Sequence, residues 1–393
     1  MRGTGVAELA AETLSAIRAR GTHRRMRVLE GRQGPRAIVD GREVLLFAGS
    51  NYLDLAAHPE VCEAAARAAR DLGCAAGGSR LISGNLALHE ELEQALAKFL
   101  DAEAALVFAT GYMANLGVIP ALTSRGDVVI SDALCHASII DGCRLAKSEV
   151  RVFAHGDLAA LAALLEQCTP RFRRVLLAVD GVYSMDGDVA PLRELVALTR
   201  RYDAMLLLDD AHATGALGAT GRGTPELCGV TQGIDVWVGT LGKSLGSFGA
   251  FVAGSAGLRE LLVNTARSFI FSCALAPPQL AAARAALGLV RREPWRRQRL
   301  QANAERLRRG LARHGIATAP STTHIVPVLI GANEATMRVC ERLLERGFYA
   351  QGIRHPSVPE GSARLRITPM ATHTEAEVDA LCDAIAREIS RAS

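Results

Sequence analysis

Asp235-Val-Trp-Val-Gly-Thr240 runs directly into Leu241-Gly-Lys-Ser-Leu-Gly-Ser-Phe-Gly249: a short apolar run of strand character, then a glycine-rich turn that carries a lysine. A lysine on such a turn, at the end of a strand, stands over a cleft. Three readings compete for it: an ordinary loop residue, a phosphate-binding P-loop, or an amine that forms a Schiff base. Gly242-Lys243-Ser244 matches the end of the P-loop pattern G-x-x-x-x-G-K-[ST], but Trp237 stands where that pattern needs its first glycine. The P-loop reading fails on that count.

The rest of the chain sets Lys243 apart. Only three of the 45 basic residues are lysines: Lys98, Lys147 and Lys243. Arginine substitutes for lysine where only charge is needed, but it cannot act as an amine nucleophile. Lys98 lies on the wet side of a helical pattern whose apolar side is Leu88, Leu92, Leu96 and Phe99. Lys147 keeps polar company in Arg144, Ser148, Glu149 and Arg151. Both read as surface residues.

Composition excludes several function classes. The chain has 393 residues, 49% hydrophobic and 22% charged, with a mean hydropathy of +0.15, which rules out disorder and suggests about two domains. The net charge of +4, from 45 basic against 41 acidic residues, is too balanced for a nucleic-acid face, so small neutral or anionic ligands are the expected partners. The uncharged stretch from Ala104 to Ser124 contains Gly111, Asn115, Gly117 and Pro120, which suit a strand, a turn and a helix inside a core and not a membrane span. Glu8 and Glu12 interrupt any secretory signal, and nine cysteines without a CxxC pair argue against zinc ribbons and a disulfide framework. A cytoplasmic protein is expected.

Apolar runs without polar alternation recur at Ala105 to Ala109, Val128 to Ser131, Val150 to Ala154, Val175 to Val179, Met205 to Leu208, Val236 to Gly239 and Ala250 to Ala253. Such runs suit strands buried on both faces. Helical stretches such as Leu158 to Gln167 and Leu192 to Arg201 lie between them, which gives an α/β chain with a mostly parallel sheet. Ligands bind beyond the carboxyl ends of such strands. Thr110-Gly111-Tyr112 there opens a helix from Met113, whose N-terminus and the amides of Gly111 and Tyr112 suit a phosphate. His136, Ser184, Asp209 and His212 also follow strand ends. Asp209 and His212 lack the further ligands a metal would need, so no metal is expected. A phosphate cradle, a strand-end carboxylate, two histidines and one poised lysine are together what pyridoxal 5'-phosphate (PLP) requires. Its aldehyde condenses with an amine, which Lys243 offers. A carboxylate, with Asp209 the candidate, keeps its pyridine nitrogen protonated. The hydroxyl of Thr240 suits the phosphate, and His136 and His212 suit ring stacking and the ring oxygen.

Five segments resemble the α-oxoamine synthase family of fold-type I PLP enzymes: Ser131-Asp-Ala-Leu-Cys-His-Ala-Ser138, Ser184-Met-Asp-Gly-Asp188, Leu208-Asp-Asp-Ala-His-Ala-Thr-Gly215, Gly221-Arg-Gly223 and Thr240-Leu-Gly-Lys243. The likeness runs from about Arg18 to the C-terminus. It implies a Schiff base at Lys243, Asp209 on the pyridine nitrogen, His212 on the ring oxygen, His136 stacked over the ring, and Ser184 and Thr240 in the cofactor site. It also implies that Arg366 holds an amino-acid carboxylate, although Arg366 taken alone reads as a sheet-edge surface arginine. The implied architecture is a mostly parallel central sheet flanked by helices with a smaller C-terminal α+β domain: an N-terminal segment 1–50, a cofactor domain 51–285 and a small domain 286–393. Homodimers with active sites at the interface follow from the same resemblance, with residues near Ser272 serving the neighbouring site.

Within the family, the segment from Gly352 to Thr368 most resembles members that condense L-alanine with a pimeloyl thioester, on CoA or a carrier protein, with loss of CO2, in biotin biosynthesis. That match places Arg18 and Ser357 on substrate, with Arg354 close by. The segment from Ser131 to Gly142 instead resembles the glycine C-acetyltransferase members. Two departures stand out. Ser50-Asn51-Tyr52-Leu53 has serine where relatives carry a substrate-contacting asparagine, and Gly73-Cys-Ala-Ala-Gly-Gly-Ser-Arg80 has Ala75 where a third glycine is usual. An ordinary PLP aminotransferase would share Lys243 and Asp209. A catalytically silent partner subunit would not need to keep Lys243, His136 and Asp209 together.

Overall fold

The computed structural model describes residues 5–230, 232–318 and 320–391. Contacts divide the chain into two units. The larger holds Ser50–Ser184 and Asp188–Leu300; the smaller holds the chain up to Gly49, Met185–Gly187, and the chain from Gln301 onward.

Seven strands form the sheet of the larger unit, in the spatial order Ala104–Phe108, Ala250–Gly254, Val236–Thr240, Met205–Asp209, Val175–Asp180, Val128–Asp132, Glu149–Phe153. Each predicted run lies within one residue of an observed strand. All neighbours are parallel except Ala250–Gly254, which runs antiparallel to both of its partners. Alternate residues point to opposite faces. Leu176, Leu207 and Val238 pack on one side with Ala114, Val118 and Ile139, and Leu177, Leu206 and Leu208 pack on the other with Leu161, Leu165 and Leu195. Burial on both faces fails at Glu149–Phe153, where Val150 and Val152 are 41% and 59% exposed. That strand is the last in the sheet and pairs with one neighbour only.

Two local devices shape the carboxyl end of the sheet. Thr110 caps the helix Gly111–Leu122 by accepting the Met113 N–H at 3.1 Å, so the uncharged stretch is a strand, a cap and a buried helix. The turn that carries Lys243 joins Val236–Thr240 to its antiparallel neighbour. Its Lys243 carbonyl accepts the Gly246 N–H at 3.0 Å, and Leu241 N–H reaches the Gly249 carbonyl at 2.9 Å. Gly246 has φ +55°, and a Cβ there would lie 2.5 Å from the backbone of Leu55 and Ala56, so only glycine fits this close pass.

In the smaller unit, three antiparallel strands lie in the order Val326–Gly331, Ala363–Ile367, Gln351–Ile353. Val326, Val328, Leu365 and Ile367 pack with Val339, Leu343, Leu381 and Ile385 of the helices Asn333–Glu345 and Glu375–Ser390. The helix Val6–Ala19 has no buried residue. Among the described residues, no helix is long and apolar enough to cross a membrane.

Candidate active site

Three adjacent parallel strands each end in aspartate: Asp132, Asp180 and Asp209. Asp180 pairs in register with Asp209. The carboxyl end of the sheet is therefore acidic, and the residues around it balance that charge.

Asp209 is 8% exposed. Its Oδ2 accepts from Asn115 Nδ2 at 2.7 Å and its Oδ1 from the Ala211 N–H at 3.1 Å. The other hydrogen of Asn115 Nδ2 goes to Ser138 Oγ at 2.9 Å, and Ser138 Oγ lies 2.7 Å from His136 Nδ1. A chain of hydrogen bonds, buried from Asp209 to Ser138, thus links Asp209 to the more exposed His136. Burial lowers the His136 pKa; the nearby Asp209 charge opposes that shift, and the Lys243 ammonium adds to it. Asp180 feels the same two charges, but burial dominates and raises its pKa well above the carboxylate range. Its Oδ2 accepts the His136 N–H at 3.1 Å. Lys243, Asp209, Asp180 and His136 therefore share one electrostatic site.

His212 is held at Nδ1 by the Tyr52 hydroxyl at 2.7 Å. The Tyr112 ring meets His136 edge-on, 6.4 Å between centroids, and its hydroxyl donates to Asp141. Thr110 satisfies the Met113 and Ala114 N–H groups, which leaves the Gly111 and Tyr112 N–H groups without a partner inside the helix. A Cβ at Gly111 would meet nothing closer than Ala250 Cβ at 4.0 Å, so that side of the turn has room for a ligand. The Thr240 hydroxyl donates to the Gly249 carbonyl at 3.1 Å and accepts from the Gly242 N–H at 3.2 Å, which ties down the Lys243 turn. Ser184 follows directly on the buried Val182 and Tyr183.

Gly111, Tyr112, His136, Ser184, Asp209, His212, Thr240 and Lys243 all belong to the larger unit. Amide donors at a helix N-terminus, a hydrogen-bonded carboxylate, two oriented imidazoles and an amine on a fixed turn fit PLP. Lys98 and Lys147 are exposed, as their surroundings predict.

The substrate candidates divide between the units. Ser50 is half-buried in the larger unit, next to Asn51, whose Oδ1 accepts the N–H groups of Leu55 and Ala56 at 3.0 and 3.1 Å. Arg18, Arg354, Ser357 and Arg366 belong to the smaller unit. Arg366 is 8% exposed on the middle strand of its sheet, paired with Pro327 and Gln351, so the sheet-edge surface reading of this residue is wrong. Arg354 and Ser357 line a cavity of about 590 Å3 together with His23, Arg24, Arg25 and Arg27. Arg18 is exposed on the N-terminal helix.

Sequence reasoning missed Asn115, Ser138, Asp180 and Tyr52 as parts of the site. Asn115 did carry a signal, as an amide inside an otherwise apolar helix, and Ser138 and Tyr52 lie inside segments that match the family. What their side chains touch is a tertiary fact.

Residues 42–385 match the aminotransferase class I and II family. The chain is 53% identical to an 8-amino-7-oxononanoate synthase of Geobacter metallireducens over 94% of each protein, and 51% identical to that of Geobacter sulfurreducens over 95% of this chain and 96% of the relative. Serine palmitoyltransferase from S. paucimobilis, solved with bound PLP, superposes with a TM-score of 0.92 at 34% identity, covering 98% of this chain and 97% of that one. An 8-amino-7-oxononanoate synthase structure from Francisella tularensis gives 0.77 at 25% identity, over 88% and 98%. The chain therefore belongs to the aminotransferase class I and II family and, within it, to the α-oxoamine synthases.

Proposed function

We propose that the protein condenses L-alanine with a pimeloyl thioester to give 8-amino-7-oxononanoate, CO2 and free thiol, the reaction of biotin biosynthesis. Identity of about half, over nearly the full length of relatives named for that reaction, carries this reading.

PLP, when bound, supplies an aldehyde that captures an amine and a protonated ring that draws electrons from the adjoining carbon. The chain supplies the rest. Lys243 Nζ would hold the aldehyde and would serve as the base at the substrate α-carbon. Asp209, oriented by Asn115 and the Ala211 N–H, would meet the pyridine nitrogen. Tyr52 would orient His212 for the ring oxygen. The Gly111 and Tyr112 amides would hold the phosphate, with Ser184 and Thr240 in the same site.

His136 acts as a neutral donor. The Ser138 N–H donates to its Nδ1 at 3.3 Å, which makes that nitrogen an acceptor, so the Ser138 hydroxyl 2.7 Å away donates to it as well. A neutral ring with an accepting Nδ1 carries its proton on Nε2. That N–H can polarise the thioester carbonyl while the ring stacks on the cofactor.

Arg366 is the proposed partner of the amino-acid carboxylate. The basic cavity at Arg354 and Ser357, together with Arg18, suits an acyl chain that ends in a carboxylate. Ser50 takes the place of a substrate-contacting asparagine. A cytoplasmic homodimer completes the proposal. The likeness to serine palmitoyltransferase and the glycine C-acetyltransferase character of Ser131 to Gly142 make other amino-acid and acyl pairs the competing reading. The test is a panel of L-alanine, glycine and L-serine against pimeloyl-, acetyl- and palmitoyl-CoA, scored by CO2 and thiol release. Alanine with pimeloyl-CoA is expected to lead. A better rate for glycine with acetyl-CoA overturns the assignment, and amino transfer without thiol release points to an aminotransferase.

A further inference from the structure

His155 follows the edge strand Glu149–Phe153 and takes no part in the chemistry above. Both of its ring nitrogens meet carboxylates. Nδ1 lies 3.0 and 3.1 Å from the two oxygens of Asp132, and Nε2 lies 2.9 Å from Asp188 Oδ2. A neutral imidazole has a single N–H and would set a lone pair against one of these oxygens. Only the imidazolium satisfies both sides, through charge-assisted bonds. The two carboxylates, Asp132 foremost, outweigh burial and raise the His155 pKa to about 10. The Tyr183 ring stands edge-on at 4.3 Å. These three residues are the titratable groups that face it.

Each aspartate belongs to a turn that leads to a candidate cofactor residue. Asp132 accepts the N–H groups of Leu134 at 2.8 Å and Gly156 at 3.1 Å, and its carbonyl takes the Cys135 N–H at 3.2 Å. These bonds shape the turn that ends at His136. The Asp188 carbonyl takes the Tyr183 N–H at 3.1 Å, and Val189 bridges to Val182, which closes the loop that carries Ser184. The Tyr183 side chain also reaches Asp132 from the second loop, whereas His155 bonds both carboxylates.

We propose that His155 is a positioning residue: by bridging Asp132 to Asp188 it locks the turn that presents His136 to the loop that presents Ser184. The kinetic part of this claim rests on the function proposed above. The structural part does not.

The test uses the PLP-loaded enzyme and the variants His155→Gln and Asp188→Asn. Glutamine is close in size to histidine but uncharged, and it reaches one carboxylate at most. Loosening His136 is expected to lower kcat roughly 10- to 100-fold, with KM for the amino acid changed less than about threefold. The visible circular dichroism of bound PLP should weaken alongside. Both variants break one clamp, so the double variant should be no worse than the poorer single one. Wild-type kcat and dichroism in His155→Gln overturn the proposal, and so do losses that add in the double variant. A second measurement needs neither turnover nor a mutant. In 15N-histidine-labelled holoenzyme both His155 nitrogens should stay protonated well above the ~6.5 of a free imidazole, and a midpoint near that value overturns the clamp. An enzyme with a protonated His155 that condenses none of the substrate pairs sinks the function and leaves the clamp standing.

Discussion

Ser138→Ala tests how His136 presents its donor. Ser138 is 1% exposed, and its hydroxyl is the link between Asn115 Nδ2 at 2.9 Å and His136 Nδ1 at 2.7 Å. Alanine removes the hydroxyl and leaves the Ser138 N–H as the only remaining bond from that residue to Nδ1, at a longer 3.3 Å. A neutral hydrogen bond is worth about 0.5–1.5 kcal/mol net. That energy favours the ring form with its proton on Nε2 and the ring turned to the substrate. Losing it lowers the population of the working form, and kcat with it, about 2- to 12-fold, and the surviving N–H bond holds the effect to the lower part of that range. KM for L-alanine should hold, because the acyl donor and not the amino acid meets Nε2. The assay is thiol release at saturating alanine with pimeloyl-CoA varied, beside a PLP titration of the apoprotein. An unchanged kcat, or a loss wholly explained by weaker PLP binding, refutes the role given to the Asn115–Ser138–His136 chain.

Lys243→Ala should lose the visible absorption of bound PLP and all turnover, and a variant that keeps both removes the basis of the mechanism. Asp210 is fully buried, and burial raises its pKa to about 8, against hydrogen bonds from Thr224 and Thr214. The folded chain then keeps a proton that the unfolded chain gives up above the ordinary value of 3.8. Its contribution to stability is therefore lost as pH rises from about 4 to about 8 and is level beyond. Asp210→Asn should flatten urea-unfolding midpoints over that window, and a wild-type slope in the variant rejects the assignment. Glu93, 3% exposed, meets Arg80 at 2.7 Å and Arg259 at 2.9 Å. Glu93→Gln breaks a buried pair and should cost about 3–5 kcal/mol, read in urea as an earlier midpoint; a loss below ~1 kcal/mol would mean that water already screens the pair.

The seven central strands were legible because burial on both faces writes an uninterrupted apolar run, and Lys243 was legible because lysine is so scarce in this chain. The exposed face of Glu149–Phe153 was not, because the order of strands in a sheet leaves no local mark. Arg366 misled for a related reason. An arginine flanked by apolar residues reads as a surface position, and only pairing with strands on both sides shows it to be interior. Asn115 is the clearest case. The sequence shows a polar residue in an apolar helix, yet its partners Ser138 and Asp209 lie 23 and 94 residues away. Side-chain contacts across that separation have no periodicity to read. His155 follows an apolar run as His136 does, but it serves two carboxylates instead of the cofactor, and nothing local separates those roles.

Three aspartates at neighbouring strand ends pose an electrostatic problem, and the way each is answered fits one job. Asp132 receives His155, whose hydrogen bond lowers its pKa despite burial and anchors the neighbouring turn. At Asp180, burial and the nearby Asp209 raise the pKa and so disfavour its charged form, and one oxygen accepts the His136 N–H. Asp209 receives donors that bring no charge, from Asn115 and Ala211. A cationic partner in contact with Asp209 would compete with a protonated pyridine for the same carboxylate, and an ionised Asp180 beside it would divide the attraction. Answering the charge of Asp132 and of Asp180 by different means leaves Asp209 as the carboxylate set aside for the cofactor. Replacing Asp180 by asparagine should accordingly leave PLP affinity within about twofold of wild type, whereas Asp209→Asn should weaken it by at least ~10-fold. Equal losses in the two variants would mean that Asp180 is charged in the working enzyme, and the division of labour argued from its burial would fall.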